Sequence, residues 1–176
     1  MRTLADQLTM YATYHRDRRN IATHFVGIPM IFFSITALLA RPVVDVGGLA
    51  VTPLLVVGVL ASLYYLALDL RFGLAMIGVL VASGAGSVAL AAQSTTVWLS
   101  VSIGLFVVGW VIQFVGHFYE GKKPAFVDDL TGLLIGPLFV VAETAFAIGL
   151  RRPLHDEIVR RAGPTHIRET TTAAAS

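Results

Sequence analysis

Three histidines, with a few carboxylates and amides near them, are the residues of this chain whose types and spacing point to chemistry. His117 and Glu120 stand three apart where an apolar run ends, so an imidazole and a carboxylate project from one face of a helix end. That pairing suits a metal ion or a proton relay, and it is also how apolar spans are commonly punctuated at an interface. Gln113 lies one turn before His117 on the same face, where it either bonds across helices or supports a site from behind. His24 falls at the edge of the first apolar run, where an ionisable group is costly and calls for a partner. Asn20, one turn earlier, shares its face and is positioned to orient the imidazole. His15 precedes His24 by nine residues, which at about 100° per residue points the two to opposite sides of a straight helix. They meet only if the helix breaks around Asp17–Asn20, and a break is favoured because a continuous helix would carry Arg18 and Arg19 toward hydrocarbon. Glu143, inside the last apolar run, is a further candidate, expected to hydrogen-bond a site histidine or neighbouring backbone. His155 and His166 lie in polar sequence and are left out of any site.

The elements that must position these residues are membrane spans. Of 176 residues 56% are hydrophobic and only 14% charged, which is wrong for a soluble domain. Apolar runs cover Ala22–Ala40, Leu49–Leu68, Gly73–Ala92, Val97–Gly116 and Leu130–Leu150, each near the ~20 residues that cross a bilayer core. Before them, Leu4, Leu8 and Tyr11 share one face of an amphipathic helix that Thr3, Asp6 and Gln7 open, expected to lie at the membrane interface. Small residues at Gly78, Ala82 and Gly86 predict close helix packing in the third run. The polar N-terminus carries no short apolar leader, so the first span is expected to act as its own insertion signal.

The positive-inside rule prefers both termini in the cytoplasm, which leaves Arg41 alone among the thirteen Lys and Arg on the far side. That arrangement needs an even number of crossings. The last run, interrupted by Gly136-Pro137, is therefore read as re-entrant. The expected fold is all-α: a polytopic membrane helical bundle over residues 1–150, with an N-terminal interfacial helix. Residues 151–176 form a basic cytoplasmic tail, disordered toward its end. Asp128-Asp129 is expected to cap the last helix. The basic residues flank spans rather than forming a stripe with interleaved aromatics, so nucleic acid is not an expected partner, whereas membrane lipids are.

With no cysteine, any chemistry must use nitrogen and oxygen groups. Three histidines with one or two carboxylates on one membrane face fit a site for iron or another divalent first-row metal, and ligand type alone leaves zinc open.

Tyr14-His15, Asn20, His24 and Pro29, then Gln113-Phe114-Val115-Gly116-His117, Glu120-Gly121-Lys122-Lys123-Pro124-Ala125 and Gly136-Pro137 with Glu143, carry a resemblance that runs from about Leu4 to Leu150. The chain resembles the small membrane proteins related to the yeast enzyme that metabolises phytosphingosine to odd-numbered fatty acids. Membership implies an Fe(II)-dependent dioxygenase that uses O2 to shorten 2-hydroxy fatty acids by one carbon, with His15, His24 and His117 as iron ligands. Glu120, Glu143, Asn20 and Gln113 are then candidates for catalytic or supporting roles, and Arg18, Arg19, Lys122 or Lys123 for pairing with the substrate carboxylate. The composition, rich in Ala, Val and Arg, points to a bacterial chain and so to an inner membrane. Two readings of other classes stand beside this one: a non-enzymatic lipid-binding, transport or assembly protein whose polar residues only join the helices, and a zinc hydrolase acting on lipids.

Overall fold

A computed structural model of the chain describes residues 2–127, 129 and 131–169. Helix α1 (Leu4–Ala12) opens with a reciprocal cap: Thr3 Oγ1 accepts from the Asp6 amide, and Asp6 accepts from the Thr3 amide. The chain leaves helical form after Ala12, and α2 (Arg18–Ala40) starts afresh with Asp17 as its cap, accepting from the Arg19 amide at 2.8 Å. The expected break therefore exists but lies over residues 13–17; Arg18, Arg19 and Asn20 already belong to α2.

After α2, β1 (Val44–Val46) and β2 (Leu49–Val51) form a small antiparallel hairpin. Its turn residues Gly47 and Gly48 have φ of 64° and 88°, the conformation that a two-residue hairpin turn demands. The hairpin takes the first residues of the second apolar run, so α3 (Pro53–Leu68) begins later than hydropathy suggested, with Thr52 as cap and proline in its first turn. Asp69 alone separates α3 from α4 (Leu70–Ala91), its carboxylate accepting from the Arg71 and Phe72 amides. The return is tight: a Cβ on Gly73 would lie 2.8 Å from the Leu66 nitrogen. Helix α5 (Thr95–Glu120) ends on Gly121, whose φ of 69° turns its amide back to the His117 carbonyl at 2.9 Å. A 3-10 turn (Ala125–Val127) precedes α6 (Gly132–Ala147), and α7 (Arg152–Ala162) follows. Asp128, half of the proposed cap for α6, lies outside the described residues, as do residues 170–176, where the disordered end was expected.

Helices α2, α4 and α5 are long and apolar enough to cross a bilayer, and α3 is shorter. Large apolar side chains such as Leu60, Leu63, Val81, Val107 and Val111 are left bare on α3, α4 and α5, as lipid-facing surface requires. At one end of the bundle Arg41 bonds Thr95 and the Trp98 indole donates to the Ala37 carbonyl, tying α2 to α5.

At the opposite end lies the core. Leu4, Leu8 and Ala12 of α1 pack with Ile135, Leu138, Phe139 and Ala142 of α6, with Tyr65, Phe72 and Met76, and with Ile158 of α7. Protein therefore covers the apolar face of α1 that the sequence assigned to the membrane interface. Helix α6 runs unbroken through Gly136-Pro137; the chain instead bends by 115° between α6 and α7. The start of α6 and the corner that follows it are tied to this end of the bundle, by the Tyr65 hydroxyl to the Leu134 carbonyl at 2.7 Å and by Arg151, just before α7, to Asp69 at 2.9 Å.

The basic tail is not loose over its described part. Helix α7 packs on α1, with Arg161 paired to Asp6 at 2.9 Å. Beyond it, residues 163–168 strap the segment between α1 and α2. Arg18 donates to the His166 carbonyl, His166 to that of Arg16, the Arg168 amide to Asp17, and the Arg16 guanidinium to Gly163, all at 2.8–2.9 Å.

Candidate metal centre

Glycines bring the first two histidine carriers together. A Cβ on Gly27 of α2 would lie 2.8 Å from the Gly109 carbonyl of α5, and one on Gly109 would lie 3.0 Å from the Gly27 carbonyl. A Cβ on Gly116 would collide with Thr23 Oγ1. Close backbone approach over these turns seats His24, beside Thr23, against His117, beside Gly116, with ring centroids 5.1 Å apart. The stripe singled out in the third run is a weaker contact, since Gly78 faces open space and only Gly86 meets a neighbour, Phe33.

The break between α1 and α2 then folds His15 over the pair, 4.3 Å from the His24 ring and 5.0 Å from that of His117. One nitrogen from each histidine lies within 4.8 Å of the other two, and all three side chains are buried. His15 Nδ1 faces the Tyr11 carbonyl at 2.7 Å and His24 Nδ1 the Asn20 carbonyl at 2.8 Å. Carbonyl oxygens only accept, so both Nδ1 atoms carry the proton. The Nε2 lone pairs of His15 and His24 are then left facing one another at 2.9 Å. Moving a proton onto either Nε2 would aim an Nδ1 lone pair at a carbonyl, so neither tautomer relieves the repulsion. A cation between them does, and His117 Nδ1, buried with no hydrogen-bond partner among the described residues, adds a further donor atom. The histidines therefore fit a divalent metal. Burial holds the His15 pKa well below its ordinary value, His24 and His117 add to the shift, and the ring stays in the neutral form that a metal ligand needs.

The other candidates sit around this centre rather than in it. The Glu120 carboxylate turns to the α1–α2 break, accepting from the Arg16 amide at 3.0 Å, the Asp17 amide at 2.8 Å and Asn20 Nδ2 at 3.1 Å. Asn20 orients His24 through its backbone carbonyl, while its side-chain Nδ2 donates to Glu120 and the Tyr14 carbonyl. Glu143 bonds to no site histidine among the described residues; its charge is felt by Arg16 and His155. Arg19 is paired with Asp17 at 2.8 Å and stacked on Tyr119, Lys122 donates to the Thr13 carbonyl at 2.7 Å, and Arg18 and Lys123 are exposed.

None of those four cations lines the cavity that opens from the centre. This cavity, about 260 Å³, has His24, His117, Gln113 and Tyr11 at one end and Ile28, Ile31, Phe32, Ile35, Phe106 and Trp110 along its length. Tyr11 was read from the sequence only as part of an apolar face. It does more: its ring stacks on His15 at 4.1 Å, nearly parallel, and its carbonyl fixes the His15 tautomer. The i, i+4 spacing of Tyr11 and His15 was the available signal.

A family model described as "2-hydroxy-palmitic acid dioxygenase Mpo1-like" matches residues 1–148. The chain is also 34% identical over 148 residues to the 2-hydroxy-palmitic acid dioxygenase MPO1 of Saccharomyces cerevisiae, an alignment covering 83% of this chain and 82% of that protein. No solved structure matches the chain. On a family match spanning most of its length and a relative aligned over most of both chains, the protein belongs to the Mpo1-like family.

Proposed function

We propose that this protein is an Fe(II)-dependent membrane dioxygenase that shortens 2-hydroxy fatty acids by one carbon. The observation that carries the reading is the pair of Nε2 lone pairs of His15 and His24 meeting at 2.9 Å beside His117, at the polar end of an apolar cavity. The yeast relative's name supplies the substrate class. In the overall change C1 leaves as carbon dioxide, C2 becomes the new carboxyl carbon, and O2 takes up the electrons, ending partly in the acid and partly in water. No other oxidant or reductant is needed.

His15, His24 and His117 would hold the metal, and an iron centre supplies the redox couple that lets O2 react with a bound 2-hydroxy carboxylate. The remaining work falls to the protein. The cavity runs beside α2 from His24 to Ile35, about 16 Å at 1.5 Å per residue, and takes the acyl chain. Burial of the centre beneath α1 and the 163–168 strap keeps bulk water from it. The Lys and Arg residues, Arg41 excepted, belong to the end of the bundle that carries the histidines, which supports a cytoplasmic site with both termini cytoplasmic, in a bacterial inner membrane.

The test uses purified protein loaded with Fe(II) and supplied with 2-hydroxypalmitate and air, with products read by mass spectrometry. Pentadecanoate is the expected product, lost on chelation and restored by Fe(II) but not Zn(II). Absence of the shortened acid across several chain lengths sinks the reading.

A further inference from the structure

Tyr11 is 7% exposed, yet its hydroxyl has no hydrogen-bond partner among the described residues. Nothing that Tyr11 does for His15 needs the hydroxyl, because stacking and the backbone carbonyl would both survive with phenylalanine. The fold nevertheless makes room for this atom: Gly136 of α6 stands against it, and a Cβ there would lie 3.0 Å from the hydroxyl oxygen. Tyr11 and Gly136 both line the cavity that His24 and His117 also line.

Gln113 presents the complementary case. It is 3% exposed, lines the same cavity, and its Oε1 is buried without a partner among the described residues. The polar end thus offers, beyond the histidines, a hydroxyl that can donate and a carboxamide oxygen that can accept. A 2-hydroxy carboxylate offers the converse, an accepting carboxylate and a donating hydroxyl.

We propose that Tyr11 and Gln113 read the head of the substrate, the Tyr11 hydroxyl donating to the carboxylate and Gln113 Oε1 accepting from the 2-hydroxyl. Tyr11 is then a substrate-contacting residue, and Gln113 determines the preference for 2-hydroxy acids over unsubstituted ones. Recognition of the acid uses neutral groups beside the metal rather than a surface cation. This rests on the proposed function.

The experiment measures binding of 2-hydroxypalmitate and palmitate to zinc-loaded protein, in which no turnover occurs, for wild type, Tyr11→Phe and Gln113→Met, with zinc content determined for each. Tyr11→Phe is expected to weaken both acids by about tenfold or more, since the lost bond goes to a charged group. Gln113→Met is expected to weaken only 2-hydroxypalmitate, by roughly fivefold, and so to erase the preference. Both variants should keep their zinc. Wild-type affinity in Tyr11→Phe, or an intact preference in Gln113→Met, overturns the inference. Loss of zinc in step with binding also overturns it, because the residues would then act through the histidines. If wild type binds neither acid, the proposed function fails first and the inference with it; if wild type binds both and the variants do not differ, only the inference fails.

Discussion

Glu120 is the side chain on which the placement of His15 depends most, although it touches no histidine nitrogen. Its two oxygens accept the Arg16 and Asp17 amides and the Asn20 carboxamide at 2.8–3.1 Å, and it is 6% exposed. These amides belong to the short non-helical segment that turns the chain between His15 and α2. Replacement by Ala leaves three buried donors unpaired, at about 1–3 kcal/mol each, a sum comparable to the whole stability of many domains. Relaxation of the segment to find water reduces that cost, and it does so by carrying His15 away from His24. Glu120→Gln is the cleaner perturbation. It keeps the shape and one acceptor oxygen but sets an NH2 against an N–H donor, a local penalty of about 1–3 kcal/mol. Paid as displacement of one ligand, this corresponds to roughly 10–100-fold weaker metal binding, the usual consequence of losing a ligand's supporting partner. Competition against a chelator of known affinity measures it, with thermal melting alongside. A Glu120→Gln protein that binds metal as wild type does yet fails to turn over would refute the reasoning, since Glu120 would then act on the reaction itself.

Three more outcomes follow from the geometry. Ile35→Phe, at the far end of the cavity, should shift preference to shorter 2-hydroxy acids, by about fourfold in affinity for each methylene excluded, as read by competition between chain lengths. Ending the chain after Ala162 removes the strap; its few net bonds, about 0.5–1.5 kcal/mol each, are largely offset by the entropy of ordering six residues, about 1–2 kcal/mol apiece. The melting temperature should therefore barely move while metal is lost faster on dialysis. The Arg151 guanidinium holds the Asp69 carboxyl below its ordinary pKa, so the clasp between α6 and α4 is fully present above about pH 4 and fades as the pH falls below it. Asp69→Asn should lower the melting temperature at pH 7 by a few degrees at most, with a gap from wild type that narrows from pH 5 to pH 3.

What the sequence made legible was periodicity and cost. Long apolar runs announced α2, α4 and α5, an imidazole at a hydrocarbon edge called for a partner, and the distribution of Lys and Arg put the N-terminal histidines and His117 on one face of the bundle. The conflict between a nine-residue spacing and a straight helix even located a break, misplaced by a few residues because Arg18, Arg19 and Asn20 were read as part of it, whereas Asp17 caps a helix that they open. Hidden were the features set by contacts distant in sequence. Glu120 reads locally as a partner of His117, and nothing near it reveals that it bonds amides some hundred residues earlier. The tail reads as solvated because its charges are visible, whereas its bonds to the α1–α2 segment use backbone groups that every residue has. The four cations were assigned to the substrate on charge alone, before their positions outside the cavity were known.

The strap also lies beyond the residues matched by the family model, which ends at residue 148. A centre that depends on the α1–α2 segment being ordered must therefore be held mainly by what lies within 1–148, and Glu120 and the Tyr11 carbonyl are such groups. The strap covers that segment from the polar side. The cavity, by contrast, is bare at its far end, where Ile35 and Phe106 are 42% and 37% exposed on the outer surface of α2 and α5. Under the proposed function, a fatty acid dissolved in the membrane would have a lateral way in between the helices, while water at the polar end meets protein. On that reading, burial of the histidines and exposure of the cavity serve one requirement: a substrate arriving through lipid would have to reach a metal that solvent does not.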